Sequence, residues 1–277
     1  MKNFLFFISL IFSALAQETY FVVQTKGKIV YVSNNQLLKP GDKLLPDTKL
    51  KFANSEAKAI LISSARGRFV LSPSDKSKTN GSEITEFVKN VLLSHDKDDY
   101  RFMSTRGVGD EASKDKTDIE TYFGVGKFFV IGPVLNYRIN KEKYQINDQR
   151  MLMIRYKYQG QNIDKPLPMV GEDIIFDMNE IFLVKGKKIA QEEVKKFDLY
   201  ITEPKVKYEE YITSFSLSFV SEEDLKKEFE ILLSVYKSQN LPKDEAKKEL
   251  KDYFNYAYGN TESVILESYL DQQLTNY

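Results

Sequence analysis

The sequence predicts an α+β protein with a small N-terminal β-barrel- or sandwich-like module, an antiparallel β domain and short C-terminal helices. Three observations carry that prediction. Short apolar runs broken by Gly, Pro or Asn recur between residues 19 and 72. Apolar–polar alternation returns between 122 and 220, and from 221 the apolar spacing lengthens to a helical period.

The first sixteen residues, MKNFLFFISLIFSALA, read as a secretory signal peptide. Lys2 supplies the positive start, Phe4 to Phe12 the apolar run, and Ala14-Leu15-Ala16 an A-x-A cleavage pattern that makes Gln17 the first mature residue. The run is too short to cross a bilayer, which needs about 20 apolar residues. No later stretch resembles a membrane helix. The expected product is therefore not membrane-spanning after cleavage, and periplasmic or secreted. The chain has no cysteine, and without disulfides a bacterial periplasm fits better than an animal secretory pathway.

Residues 17–75 form the expected β module. Strand-like runs are Phe21–Val23, Ile29–Val32, Gln36–Leu38, Lys43–Leu45, Lys49–Phe52, Lys58–Ile62 and Arg68–Leu71. Gly27 breaks the first two apart, Asn34-Asn35 suits a two-residue hairpin turn, and Pro40-Gly41 fits the centre of a type II turn. Lys49 and Lys51 should share one face and Leu50 and Phe52 the other, with lysine discouraging edge-to-edge pairing. Residues 76–121 are read as a helix and a charged linker. Ser82 is the expected N-cap, with Ile84, Val88, Val91 and Leu92 at helical spacing, and 94–121 is charged and poor in apolar residues.

The antiparallel β domain is placed at 122–220, with its best strands at Gly126–Val130, Leu152–Tyr158, Ile181–Val184 and Tyr211–Val220. In the last, Tyr211, Thr213, Phe215, Leu217 and Phe219 should share one face. Leu152, Ile154, Tyr156 and Tyr158 should oppose Arg155, Lys157 and Gln159, as in a sheet with one wet side. A hairpin is expected at Lys185-Gly186. In the helical segment, 221–277, Ser221 with Asp224 makes a capping-box-like start ahead of Leu225, Phe229, Leu232, Leu233 and Tyr236. Pro242 suits a first helical position before Leu250, Tyr253, Phe254 and Ala257, and Gly259 should end that helix. A third helix from Thr261 should bury Ile265, Leu266, Tyr269 and Leu270.

Residues Gly27–Val32, Leu38–Leu44 and Ala57–Ile62 together follow a distinctive order: a Gly-Lys-Ile/Val strand, a hairpin, Leu-Lys-Pro-Gly-Asp-Lys-Leu, then Ala-Lys-Ala-Ile-Leu-Ile. In this the segment resembles the FecR-like domain of bacterial envelope proteins, over about a fifth of the chain. The resemblance implies an envelope signalling regulator or a periplasmic binding or structural protein. It carries over no catalytic residues. Ser64-Ala65-Arg66-Gly67-Arg68 replaces the acidic Asp-Gly-Ser hairpin usual in that family.

Composition narrows the chemistry. Forty Lys and Arg balance forty Asp and Glu, which argues against nucleic-acid binding, whose affinity comes mainly from neutralising phosphates. With no cysteine and one histidine, His95, there is no thiol nucleophile and no two-histidine metal site. Gly124-Val125-Gly126-Lys127 lacks the hydroxyl residue and the strand-to-helix context of a phosphate loop, and Gly107-Val108-Gly109 reads as linker. His95-Asp96-Lys97-Asp98-Asp99 lacks the sixth-position glycine of a calcium loop. Arg66-Gly67-Arg68 forms a turn tip able to grip carboxylates or phosphates bidentately, weighed against a solvated hairpin tip. No residue is assigned a catalytic, cofactor-binding or metal role. The expected function is a non-enzymatic binding, scaffold or signalling-adaptor protein with an envelope or membrane protein partner and no nucleic acid. The alternative is a secreted carboxylate-dependent hydrolase, such as a glycosidase, with an unidentified Asp/Glu pair.

Overall fold

The computed structural model describes residues 18–73, 82–83 (backbone), 118–124 and 126–277. The chain divides into two compact units, 1–94 and 95–277, and the class is α+β.

The N-terminal unit holds β1 (Tyr20–Lys26), β2 (Ile29–Tyr31), β3 (Lys43–Leu44), β4 (Lys49–Phe52), β5 (Lys58–Ser63), β6 (Gly67–Leu71) and β7 (Ser82–Glu83). They form two sheets, β3-β1-β5-β6 and β2-β4-β7. Tyr20, Val22, Leu44, Ala59, Leu61, Phe69 and Leu71 from the first meet Ile29 and Leu50 from the second in one core. The result is sandwich-like, and its sheets do not close into a barrel. Gly27 does more than interrupt the strands. Its φ is +75°, and a Cβ there would lie 3.0 Å from the Cβ of buried Ala57.

The Lys39-Pro40-Gly41-Asp42 turn forms as expected, with Gly41 at φ +90° and Asp42 N–H donating to the Lys39 carbonyl at 3.1 Å. Three expectations are corrected. The Asn34-Asn35 hairpin has four loop residues rather than two, because Tyr31 N–H pairs with the Gln36 carbonyl; Asn34 Oδ1 accepts from Gln36 N–H and stabilises the wider loop. Lys49 and Lys51 do point out while Leu50 is buried, but β4 is the central strand of its sheet. Its lysines therefore guard no edge. Ser82 does not start a helix at the predicted position, because Ser82–Glu83 pair with Leu50 and Lys49 as strand β7. Residues 84–94 of that predicted helix lie outside the described residues.

The described part of the C-terminal unit begins at Asp118, inside the stretch expected to be linker. Asp118 caps α1 (Ile119–Tyr122), and Ile119 is fully buried. One apolar residue among charges leaves no periodic signal, although it anchors the segment to the core. There follow β8 (Lys127–Ile131), β9 (Val134–Arg138), α2 (Lys141–Tyr144), β10 (Met151–Tyr158), β11 (Gln161–Pro166), β12 (Met169–Val170), β13 (Asp173–Asp177), α3 (Met178–Ile181), β14 (Leu183–Val184), β15 (Lys187–Lys188), β16 (Phe197–Glu203) and β17 (Tyr208–Val220). The main sheet has order β11-β10-β16-β17-β8, beside β12-β13-β9 and the β14-β15 hairpin expected at Lys185-Gly186. Ile181 lies in α3 rather than in a strand.

The sheet is mixed, since β8 runs parallel to β17. The two strands are joined by nearly the whole β segment, so no tight hairpin forces them antiparallel. β16 pairs with β17 only as far as Phe215. Past that point the side chain of Gln191 mimics a strand, donating to the Phe219 carbonyl at 2.9 Å and accepting from its N–H at 2.8 Å. The core beneath is aromatic: Phe123 stacks on Phe215 with centroids 4.0 Å apart, and Phe197 lies 5.8 Å from Phe215.

The helices α4 (Glu222–Ser238), α5 (Lys243–Ala257) and α6 (Ser263–Gln273) close the unit. Ser221 Oγ accepts from Asp224 N–H at 3.3 Å, and the expected stripe of Leu225, Phe229, Leu232, Leu233 and Tyr236 is buried. Pro242 sits one position earlier than expected, as the N-cap of α5. Gly259, at φ +113°, follows the last turn. Leu266 and Leu270 are buried on α6, but Ile265 is 36% exposed. The helical segment is joined to the sheet through its backbone: Phe129 N–H donates to the Asn260 carbonyl at 2.7 Å. Tyr122 of α1 reaches Glu262 at 2.9 Å.

Candidate functional site

The outer face of the five-stranded sheet carries a cluster of aromatic and charged side chains drawn from β10, β11, β16 and β17. Alternation along β10 sends Leu152, Ile154 and Tyr156 into the core and leaves Met153, Arg155 and Lys157 outside. On β16 the same rule buries Phe197, Leu199 and Ile201 and turns Asp198 and Tyr200 outward. β17 breaks the rule once. Thr213 opposes Leu199 and Tyr211 opposes Tyr200, so Ile212 is an extra, bulged residue. A bulge reverses the facing of everything on one side of it. Phe215, Leu217 and Phe219 therefore point inward, while Tyr211 lies beside Tyr200 on the outer face and is 55% exposed. This overturns the expectation that Tyr211 shares the buried face.

Arg155 organises the surface. Its Nε and Nη2 donate to the two Asp164 oxygens at 2.6 and 2.9 Å, and Nη1 and Nη2 donate to Glu209 at 3.2 Å each. The side chain thus reaches from β11 to β17 while its guanidinium lies 4.8 Å from the centre of the Tyr200 ring. Hydrogen bonds donated to Asp164 and then to Glu209 push its already high pKa further up, so the cation is permanent. Tyr200 packs edge-to-face on Tyr211 with centroids 5.7 Å apart. Ser214 Oγ donates to Asp198. Its single proton being used there, the 2.7 Å contact with Tyr211 has the tyrosine hydroxyl as donor. Lys196 closes the row, 3.4 Å from Asp198.

With both carboxylates holding its N–H groups, Arg155 is not poised to grip an incoming anion. It props Tyr200, which in turn sets Tyr211. The arrangement offers an ordered aromatic surface with hydrogen-bonding hydroxyls at its margin. Arg155 and Lys157 do lie on the wet face, as the alternation along β10 predicts. The tyrosine pair escapes that prediction because the bulge leaves no composition signal.

The other candidates fare differently. Arg66 does grip a carboxylate, but it is Glu18 of the same chain, at 3.0 Å. Burial alone would push the Glu18 carboxyl up, yet donation from Ser63, Tyr20 and Arg66 holds it below the usual range. Gly124 and Gly126 join α1 to β8, the reverse of the strand-to-helix order of a phosphate loop, and Lys127 Nζ lies 5.0 Å from the Phe129 ring centre. His95–Asp99 and Gly107–Gly109 lie outside the described residues. Among the described residues no three His, Cys, Asp or Glu side chains cluster as a metal site would require.

Sequence reasoning also missed Glu228, 5% exposed on α4, which accepts from Tyr253 and Tyr258 hydroxyls at 2.7 Å each. The signal that could have found it is its position, three residues after Leu225 and next to Phe229, within the apolar stripe. In the N-terminal unit a shallow depression of about 520 Å³ is lined by Tyr31, Asn34, Gln36, Leu37, Lys39 and Asp42. Four of its polar side chains pair with one another, Tyr31 donating to Asp42 at 2.9 Å and Asn34 to Gln36 at 3.1 Å.

No family model matches the sequence, and no curated protein matches it.

Proposed function

We propose that this chain is an exported, non-enzymatic binding or adaptor protein of a bacterial envelope, acting through protein–protein contacts. The observation that carries the reading is the locked Tyr200–Tyr211 pair on the wet sheet face, with Tyr211 largely in solvent. Tyrosine and arginine are enriched where partners bind most strongly, because a rigid ring buries much area for little lost entropy. The signal-peptide pattern and the FecR-like turn sequence supply the envelope setting. Asp164 and Glu209 share one arginine on an open face, which lends no support to a hydrolase.

The test is cross-linked capture from native bacterial membranes, comparing the wild type with Tyr211→Asp. One specific partner should be recovered with the wild type and reduced at least about tenfold by the substitution. Equal capture by a folded Tyr211→Asp protein would remove the sheet face from the reading. An N-terminal residue other than Gln17 on the secreted product would revise the export assignment.

A further inference from the structure

The β16–β17 hairpin ends in a short structured tip. Pro204–Val206 form one 3-10 turn, closed by Lys207 N–H donating to the Pro204 carbonyl at 3.3 Å. Lys207 follows in the left-handed region at φ +54°. The backbone is therefore defined rather than loose, and it holds Val206 at the apex with 65% of its surface in solvent. Tyr208 stands just behind it, 44% exposed. Met151, paired with Thr202 on the neighbouring strand, adds a third exposed apolar side chain at 38%. Leaving these groups in water is unfavourable, and nothing in the local fold requires Val206 to be apolar.

The charges around the apex are distributed unevenly. Glu209 is held by Arg155 at 3.2 Å and Glu210 by Arg150 at 2.8 Å. The Arg150 guanidinium also lies 5.5 Å from the Tyr208 ring centre, fixing that ring behind the apex. Lys205 and Lys207 flank Val206, are exposed, and make no ion pair among the described residues. Glu203 and Glu209 each lie three positions from Val206. With Glu209 and Glu210 engaged by arginines, two lysines face the single remaining carboxylate of Glu203, so the apex is net cationic.

From this we infer that the β16–β17 tip docks on an anionic lipid surface. An apolar apex between two lysines suits the headgroup layer of a membrane. Val206 enters the acyl boundary, the lysine stems lie along it with their ammonium groups at the phosphates, and Tyr208 sits at interfacial depth. A protein pocket would accept Val206 equally well, but it would not need cations on both sides of the apex. The interaction is peripheral and reversible, since one apolar residue and two charges are far from an anchor. It goes beyond the protein-binding reading and depends on neither export nor a protein partner.

The chain contains no tryptophan, so Val206→Trp places its single indole, which can be excited apart from the tyrosines, at the apex. With vesicles of phosphatidylglycerol its emission should shift to the blue and intensify. With phosphatidylcholine vesicles it should stay that of an exposed indole, and salt should reverse the shift. In sedimentation with phosphatidylglycerol vesicles, Val206→Asp should lower binding about tenfold. Lys205→Ala with Lys207→Ala should lower it about thirtyfold. The circular dichroism of each variant should match that of the wild type, because every altered side chain is in solvent. An unshifted indole emission from Val206→Trp on anionic vesicles, or wild-type binding that the variants leave unchanged, overturns the inference. If the Val206→Trp protein is silent on lipid while Val206→Asp abolishes capture of an envelope protein, the tip is a protein contact instead, and the lipid assignment is wrong.

Discussion

In the N-terminal unit the side-chain hydrogen bonds that shape the chain mostly span two or three residues. Gln36 N–H to Asn34, Lys39 N–H to Asp42, Leu45 N–H to Thr48 and Ala57 N–H to Asn54 are all of this kind. In the C-terminal unit the bonds that organise the fold reach much further. Tyr144 to Asp118 spans 26 positions, Arg155 to Glu209 spans 54, and Tyr122 to Glu262 spans 140. The first unit is built from turns that a residue and its neighbours determine. The second is held at several points by polar groups that meet only once the chain has folded. Among the described residues the N-terminal exceptions are Glu18, which accepts from Ser63 and Arg66 at 45 and 48 positions, and Tyr31, which reaches Asp42 over 11, and these too leave no mark in the sequence.

The largest expected effect tests the long-range side of that contrast. Replacing Glu228 with Leu leaves the buried hydroxyl of Tyr253 and the hydroxyl of Tyr258 without their shared acceptor. Each such loss costs about 1–3 kcal/mol when fully buried, and the Tyr258 hydroxyl is only partly buried, so the C-terminal unit should lose about 2–4 kcal/mol. Glu228→Gln, which keeps an acceptor oxygen, should lose less. Urea unfolding, with hydrogen exchange to assign the loss to a unit, checks both values. A neutral Glu228→Leu would mean that the apolar contacts of α4 alone hold it, and the comparison between the units would weaken.

This difference in range also explains how much could be read beforehand. Pro40-Gly41 and Lys185-Gly186 announced their turns because only certain residues take those backbone angles. The stripe on α4 and the alternation on β10 were visible because burial repeats with the period of the element. The Ile212 bulge was not visible, since an inserted strand residue has no composition of its own. Alternation alone consequently puts Tyr211 on the wrong face. Asp118 was lost for a related reason. It lies at the end of a charged run, and its partners Lys143 and Tyr144 are distant in sequence. The candidate site was thus half legible: its wet face and its arginine could be read, but not the tyrosine pair that Arg155 supports.

A second prediction concerns the short-range unit. Gly27→Ala would place a Cβ 3.0 Å from Ala57 Cβ and 3.1 Å from its Cα, at a φ of +75°. Crowding against a fully buried alanine and the left-handed backbone act together, for a loss of about 2–3 kcal/mol. Gly41→Ala, where no atom lies within 4 Å of the added Cβ, meets only the backbone term and should lose about 1–2 kcal/mol. The difference between the two measures the packing contribution separately from the conformational one. Equal losses would show that Ala57 yields and that the close approach is not a constraint.

The smallest effect is a pH dependence at Asp118. Its carboxylate accepts from Lys143 Nζ at 2.8 Å, from Tyr144 at 2.6 Å and from Glu120 N–H at 3.1 Å. Led by Lys143, these partners hold its pKa below the ordinary aspartate value of 3.8. A depressed folded pKa means that the unfolded chain binds the proton more readily. The resulting stabilisation is complete above the ordinary value and is lost as pH falls through the lower folded one. Its partner Lys143 is 41% exposed, and solvent screening of the pair keeps the contribution small. Wild type and Asp118→Asn should therefore differ in thermal unfolding at neutral pH and converge as the solution is acidified below that ordinary value. A difference that persists undiminished in acid would show that Asp118 holds α1 and α2 together by hydrogen-bond geometry alone, with its charge contributing nothing.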